Sequence, residues 1–173
     1  MAGSILMLSG PVGAGKSTIA AELTALSPGP TVCMEGDAFW FFIRRSSADH
    51  SRPKSFQMVM RAMTAAATQY ARDGYEVILD FSIPPWFLRA LKPMAERTGV
   101  GLHFVVVRPS LEVCMARAAA RSEGTIADYG PYRDLYEDFD ALAAHILSDD
   151  DADAATVAAR IRAGIDAGTF RLV

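Results

Sequence analysis

The sequence predicts an α/β fold in which one parallel β-sheet is covered by helices on both faces. Its short apolar runs are continuous, as is typical of strands buried on both sides, and they alternate with longer segments whose apolar residues recur at helical spacing. Strands separated by helices in this way indicate parallel strands joined by helical crossovers. The 173 residues, 51% of them hydrophobic, suffice for one sizeable core but are too few for two ordinary domains. We therefore expect a single domain over residues 1–173.

The first part of the predicted fold consists of two strands and two helices. Residues 5–8 form an apolar strand closed by a Ser-Gly-Pro turn, and a helix follows over about 16–26 until a Pro- and Gly-rich cluster stops it. Residues 31–35 predict the second strand. Beyond an aromatic patch, apolar residues at helical spacing predict a long amphipathic helix over 53–72, which ends at an Asp-Gly stop.

The rest of the chain continues the alternation. Residues 77–79 predict a third strand that ends in Asp80, residues 104–107 a fourth and residues 145–147 a short fifth. Helices are expected over about 85–97, 110–121 and 134–143, and from Asp153 onward. Residues 122–132 hold two glycines, a proline and several polar residues, so a mobile loop is expected there.

The most specific motif is the loop between the first strand and the first helix. Residues 10–17 read Gly-Pro-Val-Gly-Ala-Gly-Lys-Ser and fit G-x-x-x-x-G-K-[ST] in the strand-to-helix position that the motif requires. The glycines let backbone N–H groups close around phosphate oxygens at the positive end of the helix dipole. Lys16 is expected to bridge the outer phosphates of ATP, and the Ser17 hydroxyl to ligate Mg²⁺. A turn formed for tight packing alone would not need this lysine and serine in register. The predicted ATP-binding residues of the loop are Gly10, Gly13, Ala14, Gly15, Lys16, Ser17 and Thr18.

Two large classes of nucleotide-binding protein lack support in this sequence. It contains no Asn-Lys-x-Asp or Thr-Lys-x-Asp motif for reading guanine, and Asp80 does not begin the D-x-x-G pattern of a GTPase switch. Large ATPase machines need an additional helical domain and an Asp-Glu pair after the third strand, for which the chain has neither the length nor the residues. A compact kinase remains.

Four segments carry a resemblance to known kinases: the loop GPVGAGKST, the triplet Glu35-Gly36-Asp37, the strand end Ile-Leu-Asp80, and Arg117-x-x-x-Arg121. In this order the chain resembles the small P-loop kinases typified by gluconate kinase, shikimate kinase and chloramphenicol phosphotransferase, with zeta-toxin-type kinases as further relatives. The resemblance implies a three-layer P-loop NTPase fold, with a five-stranded parallel sheet in the order 2-3-1-4-5. It also implies ATP-dependent transfer of a phosphoryl group to a hydroxyl. Shikimate kinase has Asp-x-Asp after the second strand, so only the second acid is retained here.

Two acids at strand ends are the predicted proton-handling and metal-supporting groups. Asp37 lies just beyond the second strand, where ligands gather in open parallel sheets, and we expect it to orient or deprotonate the attacking hydroxyl. An alternative role is to cap the helix that begins at Ala38, and both roles can coexist. Asp80 is expected to hold a magnesium-bound water beside Ser17, with substrate contact or turn capping as alternatives.

Arg117 and Arg121 are four residues apart, so they share a helix face immediately before the predicted loop. In the resembling kinases a lid arginine packs on adenine or stabilises the transferring phosphoryl group, which implies catalytic roles for both and ATP binding by Arg117. A solvated helix face paired with Glu112 or Glu123 is the alternative. A lid over residues 117–132 would exclude water when it closes.

The acceptor pocket is expected from the segments that follow the second and third strands. Phe39, Trp40, Phe41 and Phe42 are too many consecutive aromatics for one buried face, so at least one should face a cleft. Trp86 is expected to join from the other wall. Ordinary core packing is the alternative for the remaining rings.

A basic cluster, formed by Arg44, Arg45, Arg52 and Lys54, suits either an anionic acceptor such as a sugar acid or nucleotide, or a solvated loop. The net charge of −3 argues against binding nucleic acid. Two other functions stay open: a nucleotide or nucleic-acid-end kinase, and a non-catalytic ATP-binding or sensing protein. The predicted substrate-binding residues are Asp37, Phe39, Trp40, Arg44, Asp80 and Trp86.

The remaining composition favours a cytoplasmic protein. Apolar runs stay well below the roughly 18 residues of a membrane span, and the N-terminus lacks a signal-peptide pattern. Cys33 and Cys114 lie in apolar segments without metal-ligand spacing, so we expect two buried free thiols. We expect a small-molecule acceptor, no membrane contact, and a monomer or homodimer.

Overall fold

The computed structural model describes residues 2–45, 51–122 and 124–172. Its strands are β1 (Ser4–Ser9), β2 (Thr31–Glu35), β3 (Glu76–Asp80), β4 (Gly101–Val107) and β5 (Ile146–Leu147). They form a five-stranded sheet in the order β2-β3-β1-β4-β5, and every neighbouring pair is parallel. The predicted fold class and the implied strand order are therefore confirmed.

Helices connect the strands over both faces of the sheet. They are α1 (Lys16–Ala25), α2 (Ala38–Phe41), α3 (Arg52–Arg72), α4 (Leu88–Thr98), α5 (Leu111–Ala119), α6 (Gly130–Asp138) and α7 (Ala154–Asp166), with 3-10 helices at Pro85–Phe87 and Phe139–His145. The helix expected over 134–143 begins earlier, at Gly130, because a proline in its first turn favours that start. The loop expected over 122–132 therefore ends sooner. Within the described residues, no helix combines the length and the apolarity that crossing a membrane requires.

β1 shows why the apolar runs are continuous. Ile5 and Met7 pack in the cluster that includes α3 and α4, whereas Leu6 and Leu8 pack in the cluster of α1, α5 and α7. All four side chains are at most 1% exposed. Since successive strand residues point to opposite faces, a sheet covered on both sides needs an apolar residue at every position.

The carboxyl ends of β1, β2 and β3 meet at one edge of the sheet. Leu8 of β1 and Glu35 of β2 are the register partners of Asp80 in β3. Just beyond Asp80, the Ser82 hydroxyl donates to the Gly10 carbonyl at 2.9 Å. The strand register and this hydrogen bond place the segments that follow β1, β2 and β3 next to one another.

The prediction of two buried thiols is wrong for one of them. Cys114 is buried, but Cys33 is exposed. Cys33 belongs to β2, which is an edge strand of the sheet and is covered less completely than the central strands.

Candidate functional site

The loop between β1 and α1 is shaped by glycines with positive φ angles. Gly13 (φ 83°) and Gly15 (φ 85°) occupy the left-handed region, which residues with side chains rarely adopt. A side chain at Gly13 would also strike the carbonyl oxygen of Cys114. Gly15 directly precedes α1, so Lys16 and Ser17 stand in the first turn of the helix. A tight turn that ends in a helix N-terminus is suited to binding phosphate groups.

The Lys16 ammonium group lies half-buried beside this loop. Its Nζ atom donates to the carbonyl oxygens of Gly10 at 3.1 Å and Pro11 at 3.0 Å. Burial lowers the pKa of Lys16, whereas the negative charges of Asp80 and Asp37 oppose that shift. The ammonium group and the two carboxylates are therefore close enough to interact electrostatically.

A cleft of about 820 Å³ opens where the loop meets the ends of β2 and β3. Its walls come from the loop, from α2 and the start of α3, from the segment after β3, and from α5 and α6. The predicted site residues that line it are Gly13, Gly15, Lys16, Ser17, Thr18, Asp37, Trp40, Asp80, Trp86, Arg117 and Arg121. The structure thus brings groups from four separate segments of the chain into one cavity.

Two predicted substrate residues, Phe39 and Arg44, do not line the cleft. Phe39 is half-buried and packs edge to face with Phe42, with the ring centroids 5.4 Å apart. Successive residues of a helix are rotated by about 100°, so Phe39 is turned away from the cleft that Trp40 lines. Arg44 is exposed beyond the end of α2. Arg52, at the start of α3, lines the cleft, and its guanidinium carbon lies 5.9 Å from the centre of the Trp40 ring.

Gly10 and Ala14 belong to the phosphate-binding loop but do not line the main cleft. The Ala14 side chain is 1% exposed and packs in the core below the loop. Gly10 lies close to the carbonyl of Val107, which a side chain at this position would strike. Both residues shape the loop from beneath.

Four carboxylates line the cleft: Glu35, Asp37 and Asp80 at or just beyond strand ends, and Asp138 at the end of α6. Asp37 is exposed at the first position before α2, but its side chain makes no capping hydrogen bond, so the capping alternative is not observed. Asp80 is only 7% exposed. The Ser17 hydroxyl, with Asp80 and Glu35, forms a set of hard oxygen donors, which fits Mg²⁺. In the described ranges, no group of three or more His, Cys, Asp and Glu side chains is placed to hold a metal ion.

Arg117 and Arg121, from the end of α5 and just beyond it, line the cleft. A guanidinium N–H of Arg117 donates weakly to the Asp150 carbonyl at 3.5 Å. Among the described residues neither arginine forms an ion pair with Glu112, and Glu123, the other predicted partner, lies outside the described residues. Both cations therefore stay available to an anionic ligand.

A smaller cavity of about 240 Å³ adjoins the loop near the start of α7. Pro109, Arg117 and Ala152 are among its lining residues. The turn at its rim is held by Asp149, whose carboxylate accepts the Ala152 N–H at 2.8 Å and an Arg160 N–H at 2.6 Å. These hydrogen bonds, led by the backbone ones, lower the pKa of Asp149. The cavity adjoins residues 149–154, the segment in which the resemblance to small P-loop kinases implies that the base is read.

Tyr129 ties the segment after α5 to the phosphate-binding loop. It is 5% exposed, and its hydroxyl donates to the Val12 carbonyl at 2.7 Å. Burial raises the pKa of Tyr129, so the hydroxyl keeps its proton for this bond. Tyr129 falls within the loop expected over 122–132, but it is buried and hydrogen-bonded to the phosphate-binding loop.

Four apolar or aromatic side chains also line the cleft, although no sequence motif indicated them: Phe56, Phe81, Tyr132 and Leu135. Phe56 fits the helical spacing of the apolar face of α3, so the sequence gives no separate signal that it also lines the cleft. Phe81 does carry a signal, since it directly follows Asp80 at the functional edge of the sheet.

Comparison with protein families matches residues 5–129 to the family described as AAA domain. The match spans the phosphate-binding loop, both acids at the strand ends and both arginines of the cleft. No curated protein matches the chain.

Several solved structures share the fold over nearly the whole chain. The tunicamycin resistance protein of Deinococcus radiodurans aligns with a TM-score of 0.73 at 21% identity, over 94% of this chain and 95% of that one. The APS kinase of Mycobacterium tuberculosis, solved in complex with AMPPNP and APS, gives 0.68 at 19%, over 95% and 98%. A gluconokinase from Sinorhizobium meliloti gives 0.63 at 20%, over 95% and 92%. At these identities the likeness establishes a P-loop fold.

Proposed function

The chain belongs to the AAA domain family, and we propose that it is a kinase that transfers the γ-phosphoryl group of ATP to a hydroxyl group of a small molecule. One observation carries the proposal: Lys16 of the phosphate-binding loop, Asp37 and Arg121 line a single cleft. Phosphoryl transfer needs positioning, charge stabilisation and one group that handles the hydroxyl proton, and these residues can supply all three. The APS kinase and the gluconokinase among the structures of the same fold support the kinase class.

In the proposed donor half, the loop N–H groups and Lys16 bind the outer phosphates. Ser17 and Asp80, with Glu35 beside them, would hold Mg²⁺, which neutralises phosphate charge when bound. Arg117 lines both the main cleft and the smaller cavity, so it stands between the phosphates and the proposed adenine pocket. The smaller cavity would take the adenine ring.

In the proposed acceptor half, Asp37 receives the proton of the attacking hydroxyl. The hydroxyl oxygen forms a bond to the γ-phosphorus, and the bond between that phosphorus and the bridging oxygen of ADP breaks. Arg121 stabilises the charge on the transferring group. The products are ADP and a phosphomonoester, and the proton passes from Asp37 to solvent.

The segment 117–132 would act as the lid. Closure brings Arg121 to the phosphoryl group and excludes water, which suppresses ATP hydrolysis. The Tyr129 hydrogen bond to the phosphate-binding loop gives this segment a fixed point from which to close. We further propose that residues 1–173 act as one catalytic domain in the cytoplasm, as a monomer or homodimer.

The test measures ADP release in the presence of sugars, sugar acids, nucleosides, nucleotides, and aminoglycoside or phenicol antibiotics. At least one compound should raise ADP release above the acceptor-free rate, and Lys16→Ala should abolish that increase. Arg61→Gln, an exposed arginine of α3 outside the cleft, is the matched control and should keep it. ATP binding without stimulation by any compound would favour a non-catalytic ATP-binding protein and overturn the kinase proposal.

A further inference from the structure

The acceptor side of the cleft has a wall of aromatic rings. The Trp40 ring stacks on Phe56 with centroids 6.3 Å apart and an interplanar angle of 24°. The ring centroid of Phe56 in turn lies 5.6 Å from that of Phe81. Trp86 lines the same cleft from the segment after β3, with 48% of its surface exposed. Such a wall favours a ligand with a flat ring, because stacked or edge-to-face contacts stabilise ring pairs beyond simple burial.

Arg52 adds one cation to this wall. Its guanidinium group lies over Trp40, and it enters no ion pair among the described residues. The other cations that line the cleft are Lys16, Arg117 and Arg121, which stand with the phosphate-binding loop and α5. Arg52 alone of these four stands on the acceptor side, where its planar fork suits a carboxylate or phosphate group.

Among the described residues, polar side chains on this side are few. The Ser82 hydroxyl already donates to the Gly10 carbonyl, and Glu35 stands with the proposed Mg²⁺ ligands. This leaves Asp37 and Arg52, with Tyr132 and Asp138 on α6. An open-chain polyol would bring a hydroxyl on almost every carbon, and each one buried needs a partner. The lining is therefore better matched to a mostly apolar ring system than to such a polyol.

On the basis of the proposed kinase activity, we propose that the acceptor is an alcohol that carries a planar ring and one anionic group. The ring packs against Trp40 and the rings behind it, the anionic group pairs with Arg52, and the hydroxyl faces Asp37. Aromatic hydroxy acids and nucleoside monophosphates share this chemistry and differ in whether a carboxylate or a phosphate meets Arg52.

Binding can be measured without turnover, because both tryptophans of the sequence, Trp40 and Trp86, line the cleft. Tryptophan fluorescence is titrated with the donor site saturated by MgADP. The probes are 4-(hydroxymethyl)benzoate, uridine monophosphate, their neutral counterparts benzyl alcohol and uridine, and gluconate as a ringless anion. One of the two ring-bearing anions should bind about 10- to 100-fold more tightly than its neutral counterpart and than gluconate. The better-bound anion identifies the anionic group.

Variants locate the contacts. Arg52→Gln should weaken binding of the ring-bearing anion about 10- to 100-fold and leave the neutral counterpart unchanged, whereas Arg61→Gln should change neither. Trp40→Ala should weaken both compounds about tenfold, and Trp40→Phe should restore most of that loss. The Trp40 variants are followed through Trp86, and circular dichroism confirms that each is folded.

The outcomes separate this inference from the proposed function. If the ring-bearing anion binds through Arg52 but ATP yields no acceptor-dependent ADP, the kinase proposal fails and the assignment of this subsite stands. If gluconate or a neutral compound is the better ligand and stimulates ADP release, the kinase proposal stands and this inference is overturned. Equal binding by wild type and Arg52→Gln also overturns it.

Discussion

Replacing Asp37 by Asn removes the carboxylate that the proposed mechanism requires and keeps the size of the side chain. A positioned general base typically accelerates a reaction by about 10²- to 10⁴-fold. We therefore expect kcat to fall by about 10²- to 10⁴-fold, equivalent to about 3–5 kcal/mol in the activation free energy. The measurement is steady-state ADP release with the best acceptor from the panel, at saturating ATP.

The structure indicates that this substitution should leave the fold and the donor site nearly intact. Asp37 is exposed and makes no capping hydrogen bond, so we expect a loss of less than about 1 kcal/mol in unfolding free energy. Asp37 does help to keep Lys16 protonated, but Asp80 has the larger effect and remains. The KM for ATP should therefore change by no more than a few-fold.

The control is Asp73→Asn, an exposed aspartate at the end of α3 that does not line the cleft. It should match wild type in kcat, in both KM values and in thermal unfolding. If Asp37→Asn kept kcat within about threefold of wild type, Asp37 would not be the proton acceptor. A large fall in the unfolding temperature or a large rise in KM for ATP would equally refute the reasoning, because it would show a structural role.

Three further substitutions test contacts that stabilise the fold and the phosphate-binding loop. Glu76→Gln should lower the unfolding free energy by about 2 kcal/mol at pH 7, because Glu76 accepts two hydrogen bonds from Arg162, at 2.6 and 3.1 Å. Burial opposes ionisation of Glu76, but the hydrogen bonds that Glu76 accepts outweigh burial and lower its pKa. The stability difference between wild type and Glu76→Gln should therefore be complete above about pH 4.5, the unfolded-state pKa, and should vanish as the pH falls through the lowered folded-state pKa. A pH-independent difference in urea titrations would contradict this. Gly13→Ala forces a side chain into a positive φ and should cost about 1–3 kcal/mol in stability together with most ATP affinity, so unaltered nucleotide binding would count against the loop geometry. Tyr129→Phe should cost about 1–2 kcal/mol and speed proteolysis of residues 124–128, since the Val12 carbonyl loses its donor. Unchanged cleavage would mean that another contact anchors the proposed lid.

The fold could be predicted because each element carries a local signal. Strand β2 has the predicted bounds, and the apolar runs of β1 and β3 report directly that both faces of the sheet are covered. Helix starts were harder to place, because they depend on local turns such as the proline in the first turn of α6. The exposure of Cys33 was missed for a different reason: the run that contains it does not reveal that its strand stands at the edge.

The candidate site was predictable where one continuous segment forms it. The phosphate-binding loop is eight consecutive residues, and its spacing and its position between β1 and α1 already define its geometry. The acceptor side instead depends on helical phase over the single turn of α2, which turns Trp40 toward the cleft and Phe39 away. It depends also on where α3 begins, which brings Arg52 to the site and leaves Arg44 outside. Neither can be read from composition, because Phe39 and Trp40 are both aromatic, and Arg44 and Arg52 are the same residue type.

This difference between the two sides bears on how function is encoded in such a chain. The donor side is tied to the fold: Gly13 leaves room for a neighbouring carbonyl, and Lys16 lies where burial and two carboxylates set its charge. The acceptor side consists of side chains such as Trp40, Arg52 and Trp86, each exposed or half-buried, on the segments that follow β2 and β3. Substitutions there need not disturb the sheet or the phosphate-binding loop, because surface positions tolerate change. The proposed donor chemistry therefore depends on residues that also shape the fold, whereas the proposed acceptor depends on a few side chains that can change without disturbing it.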